Sequence, residues 1–268
     1  MRKGLLLAAV LGIVACGGGG GSPAPASEPK PTTNAAASSS ASPDAQAIVA
    51  AADRDSGDKE LDAGRRPAEM LTFYGVKPGM KLLEIAAAGG YTSEILGRAV
   101  GASGTVYAQN NAFILEKFAD KTLSARLAKP VNKNIVKVVR ELDDPIPPEA
   151  KDLDGVFIVL VYHDLFWLND HKIDRAKMNA AVFGALKPGG FYAIIDHSGR
   201  PGTGAKEVDT LHRIEEKVIR EEVEKAGFKL AAEGDFLRHP EDTRDWDASP
   251  GGPKRGQTDR FALKYVKP

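Results

Sequence analysis

The sequence predicts an α/β fold built on a doubly wound, mostly parallel sheet, and two observations support this prediction. Runs of apolar and β-branched residues alternate with segments of helical spacing, which is typical of a sheet with helices on both faces. Segment 81–111 has the order strand, turn, helix, turn, strand, with Gly89 and Gly90 in its first turn. Such a unit suits nucleotide-like ligands, because the turn lets the backbone approach and the helix start offers free N–H groups.

The strands are predicted from apolar runs and the helices from apolar stripes. Segment 153–162, LDGVFIVLVY, is continuously apolar and therefore suits a central strand buried on both faces. The other predicted strands are 82–85, 105–109, 135–139, 191–195, 228–236 and 260–266. Helices are predicted at 112–127, 174–186 and 207–226, the last closed by Gly227. No helix is predicted between the last two strands, so we expect this pair to be antiparallel.

Length and charge narrow the possible functions. The chain has 268 residues, 43% of them hydrophobic, and its 36 basic residues balance its 36 acidic residues. This length allows one good-sized domain with additional segments. A net charge of zero gives no support for a nucleic-acid partner. We therefore expect a small-molecule ligand and no nucleic acid, while the oligomeric state stays open.

The first residues have the pattern of a bacterial lipoprotein signal peptide. Two basic residues precede the apolar run 5–14, which is shorter than the roughly 20 residues that a membrane-spanning helix needs. The run ends in Val14-Ala15-Cys16, which resembles the lipobox at which a cysteine is lipidated. Cys16 is the only cysteine, so no internal disulfide can form. We predict a signal peptide at 1–15 and lipidation at Cys16, with an ordinary signal peptide as the alternative.

A low-complexity segment separates this signal from the folded domain. Residues 17–42 are mostly Gly, Pro, Ala, Ser and Thr, and without a large apolar residue they cannot bury a core. We predict a lipidated cysteine and tether at 16–43 and a domain at 44–268. An anchor and a tether imply a location in the cell envelope, on the periplasmic side. Helical segment 44–75 is highly charged, and it is either a solvated surface or a lid over the ligand site.

Polar residues follow several of the predicted strands. Ligands of doubly wound sheets bind beyond the carboxyl ends of the strands, so these residues are expected to share one cleft. They are Glu84, Gln109, Asn110, Asn111, Asp143, Asp144, His163, Asp164, Asp196 and His197.

An ordered set of motifs gives the chain a family resemblance. The segments LLEIAAAGGYTSEIL, GTVYAQN, ELDDPIP, LDGVFIVLVYHDL and LKPGGFYAIIDH resemble those of class I S-adenosylmethionine-dependent methyltransferases. The motifs at 66–80, 162–164, 196–204 and 255–268 resemble a branch of extracytoplasmic predicted methyltransferases most closely. The resemblance covers about 53–268. It implies seven strands, with the antiparallel last strand inserted between the fifth and the sixth.

The resemblance also implies a cofactor, S-adenosylmethionine, and the residues that would bind it. The methionine moiety would lie at Glu84, Ala86, Ala88, Gly89 and Gly90, the adenine near Asp143 and Asp144, and the ribose at the end of the second strand, at Asn110. Two features depart from the family pattern. Alanines replace two usual glycines, which disfavours a positive φ, and amides replace the usual ribose-binding carboxylate. The sequence therefore predicts an altered cofactor site.

The candidate catalytic residues are His163, Asp164 and His197. Methyl transfer needs mainly proximity and alignment, and a general base helps only where the acceptor must lose a proton. His163 with Asp164 is the first candidate for that base, and Asp196 with His197 is a second polar pair. Each pair could instead simply order its loop.

Two alternatives stand beside methyl transfer to a small molecule or an envelope component. One is a catalytically silent binding module that keeps the methyltransferase fold. The other is a metal-dependent enzyme, because His163, Asp164, His197 and His212 are of the residue types that bind transition metals. His212 is expected on the predicted helix 207–226, where a lone histidine is more often structural.

Overall fold

The computed structural model describes residues 44–168, 172–252, 254 and 256–268. The predicted signal peptide, Cys16 and tether lie outside these residues. The strands are β1 (Lys81–Ile85), β2 (Thr105–Asn110), β3 (Ile135–Val139), β4 (Leu153–Val159), β5 (Leu186–His197), β6 (Lys229–Gly234) and β7 (Arg260–Val266).

The seven strands form one sheet in the order β3-β2-β1-β4-β5-β7-β6. Strand β7 is antiparallel to both of its neighbours, whereas the pairs from β3 to β5 are parallel. The prediction of a doubly wound, mostly parallel sheet is therefore confirmed, including the insertion of the last strand between the fifth and the sixth.

Short helices cover both faces of the sheet. They are α1 (Ala45–Ala50), α2 (Ser56–Arg65), α3 (Pro67–Tyr74), α4 (Tyr91–Val100), α5 (Ala112–Ile114), α6 (Asp120–Leu127), α7 (Arg175–Ala185), α8 (Val208–Leu211) and α9 (Glu216–Lys225). A π-helical turn, Leu115–Ala119, joins α5 to α6. Within the described part of the chain, no helix has both the length and the apolar character needed to cross a membrane.

Strand β4 lies at the centre of the sheet and is buried on both faces, as its apolar sequence predicts. Val156, Phe157 and Ile158 have no exposed surface. A Cβ at Gly155 would collide with the ring of Phe191 on β5, so glycine lets that ring pack directly against the strand. The core is therefore continuous from the sheet to the helices on either side.

The single helix predicted at 207–226 is wrong, because the chain breaks between α8 and α9. His212 takes a left-handed conformation with φ 50°. The segment then returns to the end of β5, where the N–H of Ile214 donates to the carbonyl oxygen of His197 (3.1 Å). The side chain of Arg213 is fully buried and pairs with Asp242 at 2.9 Å. These long-range bonds replace the helical bonds that the apolar spacing predicts.

The charged part of the N-terminal segment, around α2, contacts the domain through its acids, whereas α3 is buried in the core through apolar side chains such as Leu71 and Tyr74. Asp53 pairs with Arg98 of α4 (2.9 Å), and Asp58 pairs with Arg126 of α6 (2.6 Å). Asp62 accepts a hydrogen bond of 2.6 Å from the hydroxyl of Tyr91. Helices α1–α3 are thus fastened to elements that follow the carboxyl ends of β1 and β2.

Candidate active site

Glu84 lies near the carboxyl end of β1 and is almost completely buried. Its carboxylate accepts a hydrogen bond from the hydroxyl of Ser93 in the first turn of α4. Burial raises the pKa of Glu84 to about 7, although the hydroxyls of Ser93 and Thr92 act in the opposite direction. Near neutral pH this carboxyl group is therefore divided between its protonated and ionised forms.

The turn after β1 keeps a glycine-like backbone although two alanines occupy it. Ala86 has φ 51° and Ala88 has φ 47°, both in the left-handed region. This conformation costs a residue with a Cβ about 1–2 kcal/mol. Strained backbone of this kind is found preferentially at functional sites. The alanines predicted to disfavour this shape adopt it nonetheless.

Two amide side chains from β2 hold the turn. Gln109 Oε1 accepts from the N–H of Ala86 (3.0 Å). Asn110 bonds Ala88 twice: its Oδ1 accepts from the backbone N–H (2.8 Å), and its Nδ2 donates to the carbonyl oxygen (3.2 Å). The third amide, Asn111, accepts from the N–H of Ile114 and so caps α5. The predicted ribose-binding residue Asn110 thus has both ends of its amide bonded to the turn.

Replacing Ala88 by glycine is expected to stabilise the protein by up to about 1 kcal/mol, since relief of the left-handed strain exceeds the entropy that glycine adds to the unfolded chain. Urea unfolding of the variant measures this change. Ala102→Gly is the matched control, because Ala102 is exposed like Ala88 but is outside the set of residues with positive φ. A loss of stability in Ala88→Gly equal to that of the control would contradict the strain argument.

Gly89 and Gly90 leave room for side chains of α6. A Cβ on Gly89 would lie 3.0 Å from Thr122, and one on Gly90 would lie 2.9 Å from Leu123. Arg126 of the same helix donates to the carbonyl oxygen of Gly89 (2.7 Å) and also pairs with Glu94 (2.6 Å). No signal in the sequence predicted this role of Arg126, whose partners are distant along the chain.

Asp143 and Asp144 lie in the loop that follows β3, as the resemblance implies. Both are half-buried. Asp143 pairs with Lys177 of α7 at 3.3 Å, and Asp144 pairs with Arg140. Each predicted adenine-side carboxylate therefore already has a basic partner.

His163 lies between two carboxylates just beyond β4. Its Nδ1 is 2.7 Å from Asp196 Oδ1, and its Nε2 is 3.1 Å from Asp164 Oδ1. Asp196 Oδ2 also accepts from the backbone N–H of His163 (2.8 Å). Burial lowers the pKa of His163, but the charges of Asp196 and Asp164 outweigh it and raise the pKa to about 10. The ring is therefore protonated at neutral pH.

Two more histidines pack around His163. The ring centroids of His197 and His212 lie 5.7 and 5.5 Å from that of His163. The Nδ1 of His197 is 2.8 Å from the hydroxyl of Thr258. Burial, together with the positive charge of His163, holds the pKa of His197 well below its usual range. The structure thus places a charged and a neutral imidazole side by side.

A narrow cavity separates the N-terminal helices from the ends of β4 and β5. Its volume is about 10 Å³, which is room for about one water molecule. It is lined by Arg65, Pro67, Met70, Tyr91, Thr92, Val159, Leu160, Ile195, Leu237 and Arg260.

The fold is similar to those of solved methyltransferases. An S-adenosylmethionine-dependent methyltransferase from Aquifex aeolicus is 21% identical, with a TM-score of 0.55 over 80% of this chain and 98% of that chain. The chain has the class I methyltransferase fold. The glycopeptide N-methyltransferase MtfA, crystallised with sinefungin, is 19% identical, with a TM-score of 0.53 over 77% of this chain and 87% of that chain.

A third solved methyltransferase is similar at the same level. The arsenic(III) S-adenosylmethionine methyltransferase CrArsM from Chlamydomonas reinhardtii is 17% identical, with a TM-score of 0.51 over 84% of this chain and 73% of that chain. No protein-family model matches the chain, and no curated protein matches it significantly. At these identities the likeness shows the methyltransferase fold and leaves the reaction to be inferred from the site.

Proposed function

We propose that this chain is an S-adenosylmethionine-dependent methyltransferase that acts on a small molecule or an envelope component. The observation that carries the proposal is the turn 86–90. Ala86 and Ala88 keep a left-handed backbone that costs free energy, and two side chains of β2 are used to hold it. A turn that served only to connect β1 to α4 would not need this shape. A turn that must receive a ligand closely does.

The residues at the turn and in the loop after β3 fit most parts of S-adenosylmethionine. Glu84 would receive its ammonium group, the turn and the start of α4 its methionine moiety, and the loop at Asp143 and Asp144 its adenine. The ribose has no carboxylate partner at the end of β2, because residue 110 is an asparagine. The amide of Asn110 is, moreover, already bonded to Ala88. When bound, the cofactor supplies an electrophilic methyl group on a sulfonium sulfur.

The protein contributes mainly alignment, which can lower a barrier by about 7–11 kcal/mol. The protonated His163 ring and Asp164 are the groups that would orient a polar acceptor. His163 itself cannot take up a proton at neutral pH, because its pKa is about 10. Burial and the charge of His163 lower the pKa of His197, so that ring is neutral but is only a weak base, and the proposed reaction therefore depends on alignment rather than on a strong general base.

Access to this site involves the N-terminal helices, which we propose act as a lid. The cavity beneath α2 and α3 has room for about one water molecule, so the methionine moiety enters only when α2, which has no fully buried residue, moves. The bonds from Asp58 to Arg126 and from Asp62 to Tyr91 fasten the closed position.

Calorimetry of the full-length chain tests the proposed reaction class. We expect S-adenosylmethionine and S-adenosylhomocysteine to bind, and Glu84→Gln to reduce the affinity. If neither ligand gives heat at about millimolar concentration, which corresponds to a binding free energy near −4 kcal/mol, the proposal is disproved. Binding without methyl transfer to any acceptor in an envelope extract would favour the silent module.

We also propose that the domain is anchored in the cell envelope through lipidated Cys16, on its periplasmic side. The support is the order of basic, apolar and small residues before the single cysteine. Cys16→Ala is expected to abolish lipidation and cleavage, whereas the conservative Ala15→Gly is expected to retain both. Mass spectrometry of membrane fractions measures both. Equal lipidation of the Cys16→Ala chain would disprove the anchor.

A further inference from the structure

Three side chains beyond the ends of β4 and β5 could share one cation. His163, Asp164 and His212 each offer a ligand atom, and these atoms all lie within 4.8 Å of one another. His197, which the sequence also suggested for a metal site, is outside this group. Ligands at about 2.0–2.2 Å from a zinc ion are about 3–4 Å apart, so a small adjustment would bring the three onto one ion.

In both imidazoles one ring nitrogen, Nδ1, has a hydrogen-bonding partner, as is usual for metal-bound histidines. Asp196 fixes Nδ1 of His163 at 2.7 Å. Ser249 Oγ and Asp247 Oδ1 lie 2.8 and 3.2 Å from Nδ1 of His212. Nε2 of each ring is then the nitrogen available to an ion, and that of His163 lies 3.1 Å from Asp164 Oδ1, which would share the ion. Outer partners of this kind set the tautomer and the orientation of ligating histidines.

The carboxylate of Asp164 is also held in one orientation. Trp167 Nε1 donates to Asp164 Oδ1 at 2.9 Å, and the indole ring packs against His212 with centroids 5.9 Å apart. Since a carboxylate has two oxygens with several lone pairs, this bond leaves acceptor capacity on Asp164.

His212 reaches this position only through a break in the helix. Its left-handed φ of 50° is unusual for a residue with a side chain. The following residue, Arg213, is locked by its buried pair with Asp242. The break and this buried pair together keep His212 beside His163.

We propose that His163, Asp164 and His212 bind a divalent transition-metal ion of the zinc type. Two imidazoles and one carboxylate suit zinc, cobalt, nickel or iron, whereas magnesium and calcium prefer ligand sets made of oxygens. Binding displaces the proton on Nε2 of His163 to solvent. The side chains of Asp164 and His212 are each 21% exposed, so the ion would keep at least one position open to water or to another ligand.

This site is tested by metal binding alone and so is independent of methyl transfer. Equilibrium dialysis of the metal-free full-length chain measures uptake of zinc, with Cys16→Ser in every sample because it removes the only thiol. We expect one equivalent of zinc, a raised melting temperature, and no comparable effect of magnesium. Cobalt is expected to give visible absorption bands that zinc abolishes.

Two variants locate the ion. His212→Ala and Asp164→Asn are each expected to weaken zinc binding about 100-fold or more, the upper end of the effect of losing an outer partner. Asp164→Asn keeps the shape of the side chain, so it reports on binding even if His212→Ala folds poorly. His239→Ala is the matched control, because His239 is outside the group of possible ligands.

Three results would overturn the proposal. They are uptake below a tenth of an equivalent by the starting protein, an equal loss of affinity in His239→Ala, or unchanged zinc affinity in Asp164→Asn. Magnesium binding as tight as that of zinc would overturn the assigned class of metal.

Discussion

Asp196→Asn is expected to lower the free energy of unfolding by about 3–5 kcal/mol at neutral pH, because removing the fully buried partner leaves the charge of His163 compensated only by the partly exposed Asp164. The carboxylate of Asp196 is fully buried and accepts from His163 Nδ1 (2.7 Å) and from the backbone N–H groups of His163 and His197 (2.8 Å each). An asparagine would lose the charge and turn an N–H₂ group toward one of these donors.

The pH dependence of stability gives a second readout for the same pair. The folded pKa of His163, about 10, lies above its ordinary value of 6.5. The stabilisation from His163 is therefore fully present below pH 6.5 and is lost as the pH rises through about 10. Asp196→Asn is expected to flatten this decline. Urea unfolding across that range, with a metal chelator present, measures both effects.

The exposed Asp209 supplies the control for this experiment. Asp209→Asn is expected to change stability by less than about 0.5 kcal/mol, as is usual for surface substitutions. A wild-type stability that stays constant between pH 6.5 and 10, or an Asp196→Asn variant as stable as the control, would contradict the assignment of His163 as a buried cation.

Glu84→Gln is expected to make the protein more stable while weakening its cofactor binding. The folded pKa of Glu84, about 7, is above the ordinary value of 4.5, so the stability that Glu84 itself contributes is fully present below pH 4.5 and is lost as the pH rises through 7. Glutamine resembles the protonated form and removes this cost. The shift of about 2.5 pKa units corresponds to a gain of about 3 kcal/mol above pH 7.

The same substitution removes the negative charge that would bind the ammonium group of S-adenosylmethionine. Since a hydrogen bond to a charged group contributes about 1.5–3 kcal/mol, the affinity is expected to fall about 10- to 100-fold. Urea unfolding and calorimetry of one protein preparation measure the two effects. Glu116→Gln, at an exposed position, should change neither. A variant that is less stable than wild type above pH 7 would refute the burial cost, and undiminished affinity would refute the role in binding.

The strands could be predicted from the sequence because their signal is local. Ile135–Val139 and Arg260–Val266 have the predicted bounds, since β-branched and apolar runs favour extended backbone wherever they are buried. The helix break at His212 could not be predicted, because the apolar spacing continues through it. Its cause is the buried pair of Arg213 with Asp242, a partner that no local pattern identifies.

Some features of the candidate site could likewise be predicted from the sequence, whereas others could not. Glu84 and His163 could be found because they follow apolar strands and because parallel strands end at one edge of a sheet. The part played by Asp196 in charging His163, and by Arg126 in joining α6 to the turn, depends on distances between segments. The left-handed alanines were a departure visible in the sequence, but the side chains that hold them come from the neighbouring strand.

The bonds between Asn110 and Ala88 have an evolutionary consequence. An aspartate at position 110 would give the ribose edge its carboxylate, but it would also remove the N–H that donates to the carbonyl of Ala88 and bring a negative charge toward that oxygen. With glycine at position 88, the turn could keep its left-handed backbone without the two hydrogen bonds from Asn110. The order of the two substitutions therefore matters. After a change at 88 the protein would tolerate a change at 110, whereas a change at 110 made first would give a less stable protein. We therefore expect the effects of substitutions at 88 and 110 on stability to be coupled.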